Sequence, residues 1–285
     1  MNKYFFIILI PIFNDWKSLE KLIKKIELSS QDKGRFLILI IDDCSTTKCS
    51  LKKKFQKIKK IKILRLTQNV GSQKAIAIGL DYIKKNFFKS HILIMDGDGE
   101  DNPSEIKRML FESKKHPDLT IVSCRLERKE IFFIKFFYKI HLIIVFLFTF
   151  RWISFGNFSC LNSQNLNKLF KDESLYLAYS AAVIKNSKIK RLYSKRDKRF
   201  SGKSKVSFLK LIEHSLRVLS VFSLEIFVSS SVYVATFIFF FKELSILFIL
   251  FFLIINCTIF FIKKKHKPKN ISTYNIKKFN INKSI

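Results

Sequence analysis

Ile92-Leu93-Ile94-Met95-Asp96-Gly97-Asp98-Gly99-Glu100-Asp101-Asn102-Pro103 is the stretch on which the fold turns. Its apolar run lacks alternation, as expected of a strand covered on both faces. The run ends on two carboxylates, two residues apart, in a turn whose glycines let the backbone approach a ligand closely. Alternate acids on such a turn can share a hard divalent cation through oxygen. A solvated acidic turn is the ordinary meaning of Asp-x-Asp alone; the strand before it and the pattern around it favour a site.

Upstream, the same grammar repeats. Buried strands are expected at Tyr4–Ile12, Arg35–Ile41, Ile61–Leu66 and His91–Met95, and a fifth at Leu119–Ser123. Helical spacing is expected over Trp16–Leu28 (Leu19, Leu22, Ile23, Ile26), Leu51–Ile58, Ser72–Lys85 and Ser104–Lys115. Strands alternating with helices predict an α/β fold, Rossmann-like, with a mostly parallel sheet and helices on both faces. Ligands in such sheets bind beyond the carboxyl ends of the strands, where Pro11, Asp42, Asp43, Asp96 and Asp98 fall. Met1 to Phe13 superficially resembles a signal peptide, but the apolar run is short and no small-residue cleavage site follows, so a strand is expected.

The 285 residues carry 53 Lys plus Arg against 22 Asp plus Glu, a net charge of +31, with 48% hydrophobic residues and 32 Phe. A wholly disordered basic protein is excluded, because such a chain can bury a core. The charge favours a polyanionic partner: nucleic acid, an anionic membrane face or phosphorylated substrates. Five scattered cysteines without paired CxxC units argue against a zinc site and for a reducing compartment.

Beyond the fifth strand the chain changes character. Residues 131–153 are very apolar but broken by Lys135, Lys139 and His141, and fit a buried core helix, a third span or a helix lying in a membrane interface; the interface is expected. Two longer apolar stretches, 218–241 and 244–262, are separated by Lys242-Glu243 and read as a transmembrane hairpin. Cations crowd Lys195–Lys205 before it and Lys263–Lys269 after it, so residues 1–217 and the tail 263–285 are expected in the cytoplasm. Glu225 is expected at the cytoplasmic interface, and no regular structure is expected from Asn270 onward.

Three further segments join the acidic turn. Pro11-Ile12-Phe13-Asn14-Asp15 follows the first strand. Asp42-Asp43-Cys44-Ser45 follows the second. Thr67-Gln68-Asn69-Val70-Gly71 opens a helix after the third, where Gly71 could face a phosphate or form a tight turn. In this order and spacing the four segments resemble the family 2 glycosyltransferases with the GT-A fold, and within them the polyprenyl-phosphate branch that includes dolichol-phosphate mannose synthases. The resemblance runs from about Tyr4 to Phe222.

The resemblance implies a membrane-anchored inverting transferase that moves a sugar from a nucleotide-diphosphate sugar to a polyprenyl phosphate, with Mg²⁺ or Mn²⁺. Pro11, Phe13 and Asp15 match a segment lining the base pocket, and Ile41 and Asp43 match positions beside base and ribose. Asp96 and Asp98 match the metal-binding pair, with Gly97 against the diphosphate and Glu100 as a third ligand. Arg125, Arg199 and Lys205 match cations for the acceptor phosphate or diphosphate, with Arg199–Lys205 fitting the pattern R-x-x-G-x-S-K. Phe155-Gly156-Asn157-Phe158 departs from the family, where several relatives have Gly-Asp-Phe with the acid as a proposed base. A phosphate acceptor is already an anion near neutral pH and needs no base, whereas a hydroxyl does; Asp101 would then have to serve. The expected setting is a bacterial plasma membrane, with the catalytic domain and both termini cytoplasmic. Nucleic acid is not an expected partner, and a homo-oligomer is left open. Two rival readings remain: transfer to a hydroxyl of a lipid-linked glycan, and a non-catalytic basic membrane protein binding RNA or anionic lipid. No RNA-binding motif supports the last.

Overall fold

A computed structural model describes residues 6–29, 36–49, 51, 55, 58, 60–87, 89–126, 132–201, 208–241, 245–267 and 276–280. Four parallel strands form the heart of the sheet: β1 (Phe6–Ile12), β2 (Phe36–Asp42), β3 (Lys60–Leu66) and β4 (His91–Ile94). Their side chains alternate between two apolar layers, because successive strand residues point to opposite faces. Ile7, Leu9, Leu39 and Ile41 pack towards α2 (Ser72–Asn86). Ile8, Ile10, Ile38 and Ile40 share the opposite layer with Leu19, Leu22 and Ile23 of α1 (Trp16–Ser29) and Met109 of α3 (Glu105–Lys115). This is the expected α/β core: β1 and β2 are buried on both faces, and β3 leaves Lys60, Lys62 and Arg65 partly exposed.

The sheet is more mixed than expected. β5 (Leu119–Arg125) does not join β4. A strand that the sequence reading did not foresee, β6 (Phe155–Asn162), lies antiparallel between them. β7 (Lys188–Ser194) then adds in parallel to β5. The order is β7-β5-β6-β4-β1-β2-β3-β8. β8 (Ile276–Asn280) pairs antiparallel with β3, although the tail was expected to lack structure. The consequence of β6 is local: it sets Asn157 beside the carboxyl end of β4. The expected helix Leu51–Ile58 falls mostly outside the described residues. Its described members, Leu51, Phe55 and Ile58, are buried but in neither helix nor strand.

Short helices α5 (Ser163–Leu169), α6 (Ser174–Leu177) and α7 (Tyr179–Asn186) close one face of the sheet. The apolar half consists of α4 (Phe132–Thr149), α8 (Phe208–Val221), α9 (Ser223–Phe240) and α10 (Ser245–His266). The stretch expected as one span from 218 divides at Phe222. Val218, Val221 and Phe222 are buried against Leu177, Ala178 and Ala181, with Val145 and Ile153 in the same cluster. Among the described residues, two helices are long and apolar enough to cross a membrane, Ser223–Phe240 and Ile246–His266. The Lys242-Glu243 connection lies outside the described residues. α4 stacks on both: Phe148 meets Tyr233 and Phe252 at 5.8 and 6.0 Å between ring centres. Its outer side leaves Phe136, Phe137, Ile143, Phe146 and Leu147 exposed.

Candidate active site

The acidic turn sits where β4 ends, flanked by β1 and β6. Asp96 is anchored twice. Its backbone N–H donates to Asp101 Oδ2 at 2.9 Å, and its Oδ1 accepts from Asn157 Nδ2 at 3.0 Å. Asp98 Oδ1 accepts from the Glu100 N–H at 3.0 Å, which folds the turn back on itself. Burial, then mutual repulsion, raises the proton affinity of the group: Asp96 is pushed up by burial and by Asp98, Glu100 likewise. Asp101 is pushed up to about 7 by burial and by Asp96. Excess negative charge is thus concentrated at the end of the strand.

Residues 195–201 cross this turn as a strap. Arg199 donates to Asp98 Oδ2 at 2.9 Å, and Arg196 pairs with Glu100. Backbone bonds fix the register: Asp197 N–H to the Glu100 carbonyl at 2.9 Å, Phe200 N–H to the Asp98 carbonyl at 3.0 Å. Gly99 makes this fit possible. It has φ +86, and a Cβ there would collide with the Phe200 ring. At the far end Ser201 bonds Ser18 at 2.6 Å and Asp15 at 3.4 Å. Arg125, Ser123, Lys195 and Asn157 line the adjoining cleft together with Asp96, Glu100 and Asp101.

The expected site residues therefore divide. Asp96, Asp98, Glu100, Asp101, Arg125 and Arg199 come together, with Asp15 at the strap's end. Lys205 lies outside the described residues. Glu100, expected as a third metal ligand, pairs with Arg196 as Asp98 does with Arg199, and among the described residues no three His, Cys, Asp or Glu side chains are grouped as a metal site. Gly97 is tucked under the end of β1, where a Cβ would lie 3.3 Å from the Pro11 carbonyl, so its smallness serves the protein's own backbone. Ile41 is fully buried in the core and its side chain cannot flank a base. Asp43 turns inward as well. Its two oxygens accept from Val70 and Gly71 N–H at 2.7 and 2.8 Å, which pins the tight turn that opens α2. Pro11 is buried and Phe13 is exposed at the rim. Asn14 ties this rim to the loop after β2, accepting from the Thr46 and Thr47 N–H groups at 2.8 and 3.1 Å.

Arg196 and Gln73 were not singled out from the sequence. For Arg196 there was a faint signal: two arginines three residues apart in a lysine-rich run, facing two acids two residues apart. Gln73 carried none, since an amide in the first turn of a helix is ordinary. A divalent ion at this turn would be held by Asp96, which lines the cleft, and by Asp98 once its Oδ2 leaves Arg199, with oxygen donors of the kind such ions take.

A family model described as "Glycosyl transferase family 2" matches residues 7–183, more than half of the chain. The chain belongs to glycosyltransferase family 2. Among curated proteins, this family 2 chain is 28% identical over 141 residues to an uncharacterized glycosyltransferase of Synechocystis sp., covering 47% of the chain and 43% of the relative. It thus spans less than half of that relative's length. Among solved structures it resembles glucosyl-3-phosphoglycerate synthase from Mycobacterium tuberculosis, solved with Mn²⁺, UDP-glucose and phosphoglyceric acid. The TM-score is 0.55 at 10% identity, over 78% of this chain and 80% of that one. Residues 1–349 of S. aureus TarS in complex with UDP give 0.50 at 16%, over 79% and 65%. At these identities the likeness is one of fold.

Proposed function

We propose that this family 2 chain transfers a sugar from a nucleotide-diphosphate sugar to the phosphate of a polyprenyl carrier at a membrane surface. The observation that carries the reading is the acidic turn at the end of β4 faced by Arg125, Arg196 and Arg199, in a chain that also holds two helices of spanning length. Asp96 and Asp98 would hold Mg²⁺ or Mn²⁺, which when bound neutralises the charge growing on the departing diphosphate. The Mycobacterium tuberculosis synthase of similar fold, solved with Mn²⁺ and UDP-glucose, makes Mn²⁺ and a uridine nucleotide the first probes to try.

The strap explains how the cations are supplied. Arg199 and Arg196 neutralise Asp98 and Glu100 in the free protein; a metal held by Asp98 would free Arg199 beside the diphosphate, while Arg196 stays on Glu100 at the edge of the same cleft. Their forked N–H groups suit phosphate oxygens, and Arg196 Nε is buried without a hydrogen-bond partner. The acceptor phosphate oxygen attacks the anomeric carbon from the side opposite the donor phosphate. The new C–O bond forms as the old one breaks, and the nucleoside diphosphate leaves with the electron pair, inverting the centre. No base is required, in keeping with Asn157. α9 and α10 would span the bilayer as a hairpin with residues 1–217 and 263–285 in the cytoplasm, and α4 with its exposed Phe136, Phe137 and Phe146 would lie in the interface. Such a seat brings the cleft to a substrate whose long chain stays in lipid.

Asp101 favours one second reading. A buried carboxyl titrating at about 7 is poised as a base, which a sugar hydroxyl would need. Membranes incubated with labelled sugar nucleotide and polyprenyl phosphate separate the two. An acid-labile lipid product formed without glycan primer supports the first; label entering only a pre-existing glycan supports the second. Asp98→Ala should abolish transfer while the protein stays inserted, and near-normal turnover by that variant removes the metal role.

A further inference from the structure

A row of three hydrogen bonds runs from the backbone of α7 into the cleft, and its direction is fixed. The Tyr179 N–H donates to Gln73 Oε1 at 2.7 Å. A backbone N–H can only donate, so the Gln73 oxygen is assigned and its nitrogen must face the other way. That nitrogen meets Asn157 Oδ1 at 3.2 Å. Asn157 is left with its NH₂ towards Asp96 Oδ1, at 3.0 Å. Gln73 is only 9% exposed, and Tyr179 is fully buried with its hydroxyl 2.7 Å from Ser159 Oγ. Ser159 Oγ also donates to the Asn157 carbonyl at 2.9 Å, holding that backbone in place.

We propose that Gln73 and Asn157 are positioning residues for Asp96, an inference that rests on the donor-site reading above. One lone pair of Asp96 Oδ1 is committed to Asn157, so the rest of the carboxylate is aimed by the protein before any ligand arrives. Among the described residues, Asp98 has no such support from the core. Its partners are the Glu100 N–H in its own turn and Arg199 on the strap. Asp96 is therefore the rigid half of the pair and Asp98 the adjustable half. Asn157 is accordingly a support built into the site rather than a vacant base position. An acid there would set carboxylate against carboxylate, with Gln73 already supplying the donor on the other side.

Leucine is close to asparagine in shape but cannot hydrogen-bond, which separates packing from aiming. With the full-length protein in detergent, binding of Mn²⁺ alone is read from the unbound Mn²⁺ signal in electron paramagnetic resonance, well below the melting temperature. Asn157→Leu should raise the half-saturation concentration about tenfold, the scale of one lost hydrogen bond to a charged group. Gln73→Leu should raise it several-fold. Because Gln73 acts only through Asn157, the double variant should match Asn157→Leu alone, the coupling a double-mutant cycle detects. In transfer assays the change should fall on the donor KM, with kcat within about threefold. The proposal is overturned if Asn157→Leu binds Mn²⁺ like wild type while only Asn157→Ala is impaired, which marks packing. It is equally overturned if the two leucine variants multiply as independent sites. Failure of the wild-type protein to bind Mn²⁺ at all strikes the donor-site reading instead.

Discussion

At the scale of single residues, the turn after β4 is governed by charge density and by one glycine. Asp101 has its proton affinity raised in the folded state, so the fold binds that proton more tightly than the open chain does. The sign follows: the stabilisation is complete below the ordinary value of 3.8 and is lost as pH rises through about 7. Unfolding midpoints of the metal-free protein should therefore fall as pH goes from 5 to 7, by up to about 1.4 kcal/mol per pH unit for one proton. Asp101→Asn should remove that part of the slope; an unchanged slope would mean the carboxyl does not titrate in this window. Gly99→Ala should cost about 1–3 kcal/mol in thermal unfolding, because both the positive φ and the Phe200 ring oppose a side chain. Little of this was legible beforehand. The acids could be read because they end an apolar strand, but their partners are distant in sequence, Asn157 by 61 residues from Asp96 and Arg199 by 101 from Asp98.

At the scale of elements, loops are tied to one another by side chains that look like ligand contacts in a sequence. Asp43 is the instructive case. A carboxylate at the end of a strand invites a sugar or a ribose, yet this one serves as the acceptor for the turn that opens α2. Asp43→Ala leaves two N–H groups in that turn unpaired and should lower stability by about 2 kcal/mol in a urea titration, with Asp43→Asn intermediate. A variant as stable as wild type would overturn the structural role of Asp43 in that turn. β1 to β5 and α1 to α3 were readable because each presents a long apolar period. β6 was not: Gly156 and Asn157 interrupt it, and it follows directly on the apolar α4. β7 and β8 are rich in lysine and carry no strand signal of their own; neighbouring strands supply it.

At the scale of the whole molecule, the apolar helices and the sheet domain share a core. Val145, Leu177, Ala181, Val218 and Ile259 come from five different helices, with Phe222 at the junction of α8 and α9, so the helices are welded to the sheet domain rather than tethered to it. A chain ending at residue 217 would expose that cluster and should aggregate instead of yielding a free sheet domain. Topology is open to direct test through two exposed cysteines, Cys49 after β2 and Cys257 within α10. After permeabilisation a charged maleimide should label Cys49 and spare Cys257, which lipid would shield; efficient labelling of Cys257 in native membranes would sink the hairpin.

The alternating core, the acidic turn at the end of β4 and the two helices of spanning length could all be read from the order of residues alone. Each is written in neighbouring residues, where the period of apolar side chains and the chemistry of a turn are local quantities. Which charges meet was decided only by the tertiary structure. Arg196 on Glu100, Arg199 on Asp98 and Gln73 behind Asn157 are pairings between distant segments, and they exist because β6 inserts beside β4 and the strap crosses its end. A lone charge or amide has no preferred partner until folding brings one within hydrogen-bond reach and removes the water that would otherwise take its place.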